Sequence, residues 1–252
     1  MTEAGFYTVL FWIWLGLAPL TFCLLLFVPA PYGRNLRDGW GPKLPFLSGW
    51  ILMEFAAPVG MLVWYLLGNT RALVPTLFLG LWLLHYLHRS FLYAWIRRDR
   101  GSPIPLTIGL SALSFNLTNT YLIGRELFAF SPMEDSAWLS DPRFLGGLLC
   151  FVVGFAINLR ADHVLLHLRK PGETGYKIPH GGLFQRVSCP NYLGELIEWC
   201  GWALLTWSLS GVLFALWTAA NLVPRAITHH RWYQETFSEY PSERKALIPW
   251  IL

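Results

Sequence analysis

The sequence predicts an all-α, polytopic membrane protein with seven transmembrane helices and no Rossmann domain. Of its 252 residues, 54% are hydrophobic and only 13% are charged, whereas a soluble domain is about a quarter charged. Apolar runs of about 20 residues, the length that a bilayer crossing needs, recur along the chain. No GxGxxG fingerprint follows a strand pattern, so a dinucleotide-binding α/β domain is not expected.

The apolar runs divide the chain into one seven-helix transmembrane domain over residues 1–252. The last two helices are short and joined by a tight turn at 208–211, and about 20 polar residues follow them as a cytosolic tail. The predicted helices are 6–29, 46–67, 72–96, 105–125, 144–168, 191–208 and 211–231.

Basic residues predict the orientation in the membrane. Segments 30–46, 97–103 and 169–190, with the C-terminal part, hold 14 Lys and Arg, and the alternate loops hold three. The positive-inside rule then places the N-terminus outside or in the lumen and the C-terminus in the cytosol. The membrane would be the endoplasmic reticulum in a eukaryote or the inner membrane in a bacterium. The net charge of +4 is spread over these loops, so binding to nucleic acid is not expected.

A polar stripe follows the fifth predicted helix. With Asn158 at 0° and about 100° per residue, Asp162 falls at about 40° and Arg169 at about 20°. Polar groups are costly in a bilayer, so this stripe should face other polar groups or a ligand.

The sixth predicted helix carries a second stripe. With Asn191 at 0°, Glu195 falls at about 40°, Glu198 at about −20° and Trp202 at about 20°. The acceptors of both stripes suit ribose hydroxyls and a carboxamide.

A basic, glycine-rich loop, RKPGETGYKIPHGGLFQR, joins the two stripes. Clustered Arg and Lys with glycines suit a phosphate or pyrophosphate. The alternative is a basic loop that contacts anionic lipid headgroups.

Two earlier helices carry isolated polar groups. Glu54 is the only acid in the second helix, and Pro58 one turn later should kink it. Tyr86 shares a face of the third helix with Arg89 and Tyr93, at about −60° and −20° from it. A Tyr hydroxyl near a buried carboxyl can hold or protonate a carbonyl oxygen. The alternatives are a structural pairing of Glu54 with another helix and an interfacial aromatic belt.

The end of the last helix, RAITHHRWYQETF, brings a cation and flat rings to one face. With Arg225 at 0°, His229 falls at about 40°, Trp232 at about −20° and Tyr233 at about 80°. This face suits a nucleotide, and the alternative is an anchor at the membrane interface. No metal site is expected, because the histidine pairs do not form the HxxHH boxes of membrane di-iron oxygenases.

Three stretches resemble the signature of membrane steroid 5-alpha-reductases. They are LRKPGETGYKIPHGGLFQRVSCPNYLGELIEW, LHYLHRSFLY in the third helix, and the ending YPSERKALIPWIL. The shorter piece PNYLGE is shared with sterol reductases and isoprenylcysteine methyltransferases, whereas the longer set is specific to the reductase branch.

The resemblance implies a seven-helix fold that binds NADPH and reduces the Δ4 double bond of a 3-oxo steroid. Glu54 and Tyr86 would hold the C3 carbonyl oxygen, and Trp199 would lie near the nicotinamide. The remaining residues that the resemblance assigns to the dinucleotide are Asn158, Asp162, Arg169, Tyr176, Asn191, Glu195, Arg225, His229 and Tyr233. A lipophilic steroid would enter a monomeric protein from the bilayer lipids.

Other functions stay open at this stage. A related reductase could act on an enoyl-CoA or a polyprenol, and a prenylcysteine-type methyltransferase would use S-adenosylmethionine instead. A sterol-binding or transport protein predicts inverted repeats and broken helices, and the sequence shows no internal repeat.

Overall fold

The computed structural model of the protein describes residues 1–99, 101–169, 173 and 175–252. Its described residues are mostly helical and contain no Rossmann-like sheet, which confirms the all-α prediction. A short antiparallel pair, β1 (Lys43–Leu44) and β2 (Ile104–Pro105), is the sheet that these residues form. The α-helices are α1 (Glu3–Phe27), α2 (Phe46–Glu54), α3 (Ala56–Leu66), α4 (Leu73–Leu87), α5 (Tyr93–Arg97), α6 (Leu106–Arg125), α7 (Pro142–His167), α8 (Pro190–Thr206) and α9 (Leu209–Thr236).

Each of the seven predicted segments contains helix, but three differ from the prediction in detail. Segment 46–67 is two helices, α2 and α3, that meet at Phe55. Segment 72–96 is α4 and α5 joined by a π-helical turn, His88–Leu92. The last helix runs from Leu209 to Thr236 instead of 211–231.

Four helical segments of the described chain are long and apolar enough to cross a membrane. They are Glu3–Phe27, Phe46–Leu66, Pro142–His167 and Leu209–Thr236. The chain is therefore a membrane protein, and the count of seven crossings stays a prediction. Among the others, α4 has 15 residues and α8 has 17.

Pro58 explains the break between α2 and α3. Proline has no N–H, so the carbonyl of Glu54, four residues earlier, loses its helical donor. The Ser90 hydroxyl, in the π-helical turn, donates to that carbonyl at 3.2 Å. The carbonyl that the break leaves without a helical donor is therefore satisfied by a hydrogen bond from a neighbouring segment.

The chain forms two compact units. The first comprises Met1–Phe11, Ala30–Leu145 and Thr206–Ser210, and the second comprises Trp12–Pro29, Gly146–Leu205 and Gly211–Leu252. Glu54 and Tyr86 belong to the first unit. All the residues predicted to bind the cofactor belong to the second.

In the second unit, α7 and α8 lie backbone to backbone, antiparallel, at four glycines. A Cβ atom on Gly154 would lie 2.4 Å from the Glu198 nitrogen, and one on Gly194 would lie 2.6 Å from the Asn158 nitrogen. Gly147 and Gly201, seven residues from Gly154 and Gly194 respectively, make the same close approach to the facing backbone. Small residues let membrane helices approach closely, and here they bring the two predicted polar stripes together.

Candidate active site

Glu54 lies at the C-terminal end of α2, at the break that Pro58 causes, and its side chain is partly buried. The adjacent Met53 carbonyl accepts a hydrogen bond of 2.7 Å from the Asn116 amide of α6. Asn116 is itself 5% exposed. Polar side chains from two neighbouring segments, Asn116 of α6 and Ser90 of the π-helical turn, therefore hydrogen bond the backbone around Glu54.

Tyr86 is buried in α4, on the face that contacts α2 and α3. Trp82, four residues before it, donates from Nε1 to the Ala57 carbonyl at 2.9 Å, and its ring lies 4.7 Å from that of Tyr86. Ser90, four residues after it, contacts the Glu54 carbonyl. Trp82 and Tyr86 lie four residues apart within α4 and therefore share a helix face, so Tyr86 faces the start of α3 near Ala57. The structure thus brings the two predicted catalytic residues to adjacent helices at one level.

The π-helical turn after Tyr86 brings further functional groups to this level. Arg89 lies in it with its guanidinium 5.0 Å from the Trp50 ring and 4.7 Å from the Tyr93 ring. The Trp50 indole donates to the Arg89 carbonyl at 3.0 Å. Single π-helical turns occur frequently at functional sites. Sequence reasoning placed Arg89 and Tyr93 beside Tyr86 but gave Trp50 no role.

In the second unit, Asn158 connects the two polar stripes. Its amide Nδ2 donates to the Glu195 carboxylate and to the Asn191 carbonyl, each at 3.1 Å. The Asn191 amide in turn donates to Asp162 Oδ1 at 3.3 Å. Asn158 and Asp162 are 2% and 4% exposed, so an amide–carboxylate cluster is enclosed where the glycines let α7 and α8 meet.

This amide–carboxylate cluster, Asn158, Asp162, Asn191 and Glu195, has the chemistry that a ribose and a carboxamide need. A carboxylate accepts about four hydrogen bonds, so the carboxylates of Asp162 and Glu195 are the acceptor type that ribose hydroxyls need. Glu198 continues the α8 stripe beside Gly154 and is fully buried. These amide and carboxylate groups therefore suit the ribose hydroxyls and the carboxamide of a dinucleotide.

Arg225 and His229 approach the same end of α8 through Tyr192. The Tyr192 hydroxyl lies 3.3 Å from His229 Nε2, and the Arg225 guanidinium lies 5.3 Å from the Tyr192 ring. Tyr192 follows Asn191 directly in the chain. The predicted cation and imidazole of α9 thus lie beside the cluster residues of α8, and Tyr192 is the link that sequence reasoning missed.

Tyr233 and Tyr176 lie in an aromatic group around Trp232. Tyr233 is buried and stacks on Tyr240 with ring centroids 5.1 Å apart. Tyr176 is 48% exposed and meets the Trp232 ring edge-on at 4.9 Å. The exposed ring of Tyr176 is the one that can stack on a flat ligand, whereas Tyr233 packs in the core of this group.

Arg169 lies differently from the sequence expectation, whereas the expected position of Trp199 beside the nicotinamide stays a prediction. The helix predicted to reach residue 168 ends at His167, so Arg169 is not on the α7 stripe, and it donates to the Gly175 carbonyl at 3.2 Å. A proline two residues further along the sequence cannot continue a helix. Trp199 is buried against Phe214, with ring centroids 4.6 Å apart.

The two signature stretches in the C-terminal half, residues 168–199 and 240–252, are hydrogen bonded to each other. Ser188 and Cys189 donate from their backbone nitrogens to the carbonyls of Lys245 and Ala246, at 2.8 and 3.2 Å. Arg244, which is 3% exposed, donates to the Pro179 carbonyl at 3.0 Å. The tail therefore fixes the loop that precedes α8. Residues 170–172 and 174 of the predicted phosphate loop, and Arg100 of the basic segment 97–103, lie outside the described residues.

Comparison with known proteins identifies the family. The family model for 3-oxo-5-alpha-steroid 4-dehydrogenase matches residues 102–252, more than half of the chain. The chain belongs to this family. Among the described residues, no group of three or more His, Cys, Asp and Glu side chains could hold a metal ion.

Curated members of the 3-oxo-5-alpha-steroid 4-dehydrogenase family match nearly the whole chain. The 3-oxo-5-alpha-steroid 4-dehydrogenase 1 of Bos taurus is 42% identical over 246 residues, which cover 94% of this chain and 93% of the relative. The steroid 5-alpha-reductase DET2 of Gossypium hirsutum is 44% identical over 239 residues, 92% of each chain. The type 1 enzyme of Homo sapiens is 40% identical over 223 residues, 87% and 85% of the two chains. The resemblance read from the sequence is confirmed, and the chain is an oxidoreductase of a family that needs a nicotinamide cofactor.

Proposed function

We propose that the protein reduces the Δ4 double bond of a 3-oxo steroid to the 5α-reduced 3-oxo product, with NADPH as the hydride donor. The observation that carries the proposal is the enclosed amide–carboxylate cluster, in which Asn158 bonds both Asn191 and Glu195. The relatives are named for this reaction, and the cluster supplies the acceptors that a dinucleotide requires.

The chain's own residues would bind and orient the cofactor. The amide–carboxylate cluster accepts from the ribose hydroxyls and positions a carboxamide, and Arg169 and Arg225 carry the charge that phosphates need. His229 and Tyr233 contribute rings of the α9 face, Tyr176 lies against Trp232 of that face, and Trp199 lies further along α8 from Glu195. When bound, the reduced dinucleotide supplies a hydride.

Glu54 and Tyr86 would act on the C3 carbonyl of the steroid. As C5 accepts the hydride, the conjugated enone becomes an enolate, and negative charge develops on the C3 oxygen. The Tyr86 hydroxyl, or the Glu54 carboxyl when it carries its proton, donates a hydrogen bond to that oxygen. Such a donor stabilises the transition state more than the ground state. A proton then adds at C4, and exclusion of water strengthens these interactions.

The same proposal includes a membrane arrangement. The protein would cross the bilayer seven times, with the N-terminus outside or lumenal and the C-terminus cytosolic, because one set of alternate loops holds 14 basic residues and the other set holds three. The monomer would take its lipophilic steroid from the surrounding lipids. The compartment is the endoplasmic reticulum in a eukaryote or the inner membrane in a bacterium.

The first test compares substrates and cofactors with purified protein in lipid nanodiscs. NADPH oxidation is measured with a panel of Δ4-3-oxo steroids, with the matching saturated steroids, and with an enoyl-CoA and a polyprenol. We expect NADPH-dependent formation of 5α-reduced steroids only from the Δ4 compounds, and no product with S-adenosylmethionine alone. Turnover of the enoyl-CoA or polyprenol without turnover of any steroid would contradict the proposal.

The second test concerns the chemical step. Glu54→Gln and Tyr86→Phe should each slow single-turnover hydride transfer by roughly 10²–10³, the cost of one oxyanion donor, and leave NADPH binding nearly unchanged. The double variant should lose less than the product of the two, because the residues act as a unit. Tyr65→Phe is the matched control, since the Tyr65 hydroxyl bonds the Thr76 hydroxyl at 2.7 Å in the same unit. Parental rates in Tyr86→Phe and Glu54→Gln would leave both residues with a structural role.

A further inference from the structure

A cavity lies in the second unit, on the side of α7 away from the amide–carboxylate cluster. It has a volume of about 260 Å³ and lies between α7 and the short helical turn Gly182–Gln185. Ile157, Ala161 and Val164 line it from α7, at about −100°, −60° and −120° from Asn158, whereas Asp162 lies at about 40°. The cavity therefore opens on a different face from the predicted dinucleotide site.

The lining of this cavity is apolar except for one cation. Leu183, Phe184 and Pro190 complete the apolar wall opposite α7, and Phe184 is 2% exposed. Arg160 lies at the mouth, with an exposed side chain. Its guanidinium makes no ion pair and no hydrogen bond with any residue that the structure describes. An apolar cavity with one uncompensated cation at its mouth suits an amphiphile with an apolar chain and an anionic head.

The rim of the cavity keeps the Arg160 guanidinium accessible. Gly181 and Gly182 have φ values of 91° and 53°, a region that favours glycine. A Cβ atom on Gly182 would already lie 3.8 Å from Arg160 Nε. No side chain from Gly181 or Gly182 therefore covers the guanidinium, and a lipid head group can approach the cation from that side.

The position along α7 matches the boundary between acyl chains and head groups. α7 is one of the four segments able to cross a membrane, and it ends at His167. Arg160 lies seven residues before that end, or about 10 Å along the helix axis. A long basic side chain at this depth reaches the interface, and basic pockets beside membrane helices bind anionic lipid head groups.

We propose that this cavity binds one anionic phospholipid of the surrounding bilayer, with an acyl chain against Ala161 and Val164 and its phosphodiester on Arg160. The planar guanidinium matches a phosphate with two parallel hydrogen bonds. A neutral 3-oxo steroid has no anion to pair with Arg160, so the cavity is not a second steroid site. The bound lipid would connect α7 to the Gly182–Gln185 turn.

Native mass spectrometry of the purified full chain in nonionic detergent tests the proposal. Palmitoyl-oleoyl phosphatidylglycerol and phosphatidylcholine, which share acyl chains, are titrated separately. Both lipids carry a phosphodiester, but the choline ammonium of phosphatidylcholine cancels the net negative charge of its head group and is repelled by Arg160. We therefore expect one phosphatidylglycerol to bind about tenfold more tightly than phosphatidylcholine. Because a ligand that binds only the native state stabilises it, phosphatidylglycerol should also raise the apparent unfolding temperature.

Two substitutions that each remove one positive charge distinguish lipid binding in the cavity from lipid binding to the basic surface in general. Arg160→Gln should reduce phosphatidylglycerol affinity to that of phosphatidylcholine. Arg186→Gln is the matched control, because Arg186 is exposed in the same loop region but does not line the cavity, and it should keep the preference. Leu183→Trp fills the cavity from its partly exposed rim and should weaken both lipids together.

Three results would overturn the assignment. They are equal affinity of the parent for the two lipids, equal loss of the preference in Arg160→Gln and Arg186→Gln, and tighter binding of oleate than of phosphatidylglycerol. None of these readouts depends on steroid or NADPH turnover, so they do not bear on the proposed reaction.

Discussion

Replacing Gly154 with alanine should separate α7 from α8 and weaken cofactor binding without touching any cofactor-binding side chain. The added Cβ would lie 2.4 Å from the Glu198 nitrogen, and ordinary contact begins at 3.4 Å. The neighbouring atoms belong to the backbone of α8, which cannot rotate away. The two helices must therefore move apart by about 1 Å, since packed interiors have no room to absorb the atom.

A displacement of this size would break the amide–carboxylate cluster. Asn158 Nδ2 and Glu195 Oε1 are 3.1 Å apart, so the added separation takes them to about 4 Å, beyond hydrogen-bond reach. Overpacking costs about 1–3 kcal/mol, and a buried polar group left unsatisfied costs about 1–3 kcal/mol. Alanine has a higher helix propensity than glycine, and this offsets about 1 kcal/mol of the loss. The net loss of folding stability is about 1–5 kcal/mol. Because the broken cluster is the proposed cofactor site, NADPH affinity should also fall, by about tenfold for about 1.4 kcal/mol of lost contact.

Gly146→Ala is the matched control for this prediction. Gly146 lies in the same helix, and its Cβ would meet Leu204 Cδ2 at 3.9 Å, an ordinary contact. The control should therefore unfold at the parental temperature or slightly above it and bind NADPH normally. The measurements are NADPH titration by nicotinamide fluorescence and thermal unfolding in the same detergent. If Gly154→Ala and Gly146→Ala bind NADPH equally well and unfold at the same temperature, the close approach of α7 and α8 is not what holds the amide–carboxylate cluster together.

Three further predictions concern the cofactor, the topology and pH. Asp162→Ala and Arg225→Ala should each weaken NADPH binding by about 1.5–3 kcal/mol, and parental affinity in both would contradict the proposed site. A cysteine at Glu173 should react with a membrane-impermeant thiol reagent only from the cytosolic side, and labelling from outside intact cells would reverse the topology. Hydrogen bonds from Arg143 hold the pKa of Asp141 at about 2, below its usual 3.8. Because this folded-state pKa is depressed, the stabilisation is present above about pH 3.8 and is lost as pH falls through about 2. The unfolding temperature of the parent should therefore exceed that of Asp141→Asn at pH 7 and converge with it near pH 2, and a constant difference at all pH values would refute the ion pair.

The polar stripes could be predicted because helix geometry and the cost of polar groups in lipid act together. The 3.6-residue period put Asn158 and Asp162 on one face, and Asn191 and Glu195 on another. Polar side chains in apolar helices must face each other or a ligand. The hydrogen bonds from Asn158 to Asn191 and Glu195 are the outcome of that requirement.

Other parts of the site depend on contacts between distant segments, which periodicity does not encode. The pairing of Ser188 with Lys245 joins residues 57 positions apart, and Tyr192 links to His229 of α9 across the fold. The four glycines did leave a signal, a spacing of seven residues on both helices. Seven residues are about two helical turns, so each pair of glycines shares a face. Small residues on one face let membrane helices approach closely, which points to the α7–α8 contact.

The break in the second predicted helix shows how one residue can place a functional group. Pro58 predicted a kink, but the sequence alone could not say which group would satisfy the carbonyl that proline leaves without a donor. The structure gives that role to Ser90, which lies in the π-helical turn that no local sequence pattern had indicated. Since a π turn offsets the helix face by one residue, Ser90 contacts Glu54 while Trp82 still contacts Ala57. The two hydrogen bonds join α4 and the π-helical turn to both sides of the break, and Tyr86 lies between Trp82 and Ser90 in the chain. The proline that frees the Glu54 carbonyl therefore also determines where the segment that carries Tyr86 meets α2 and α3.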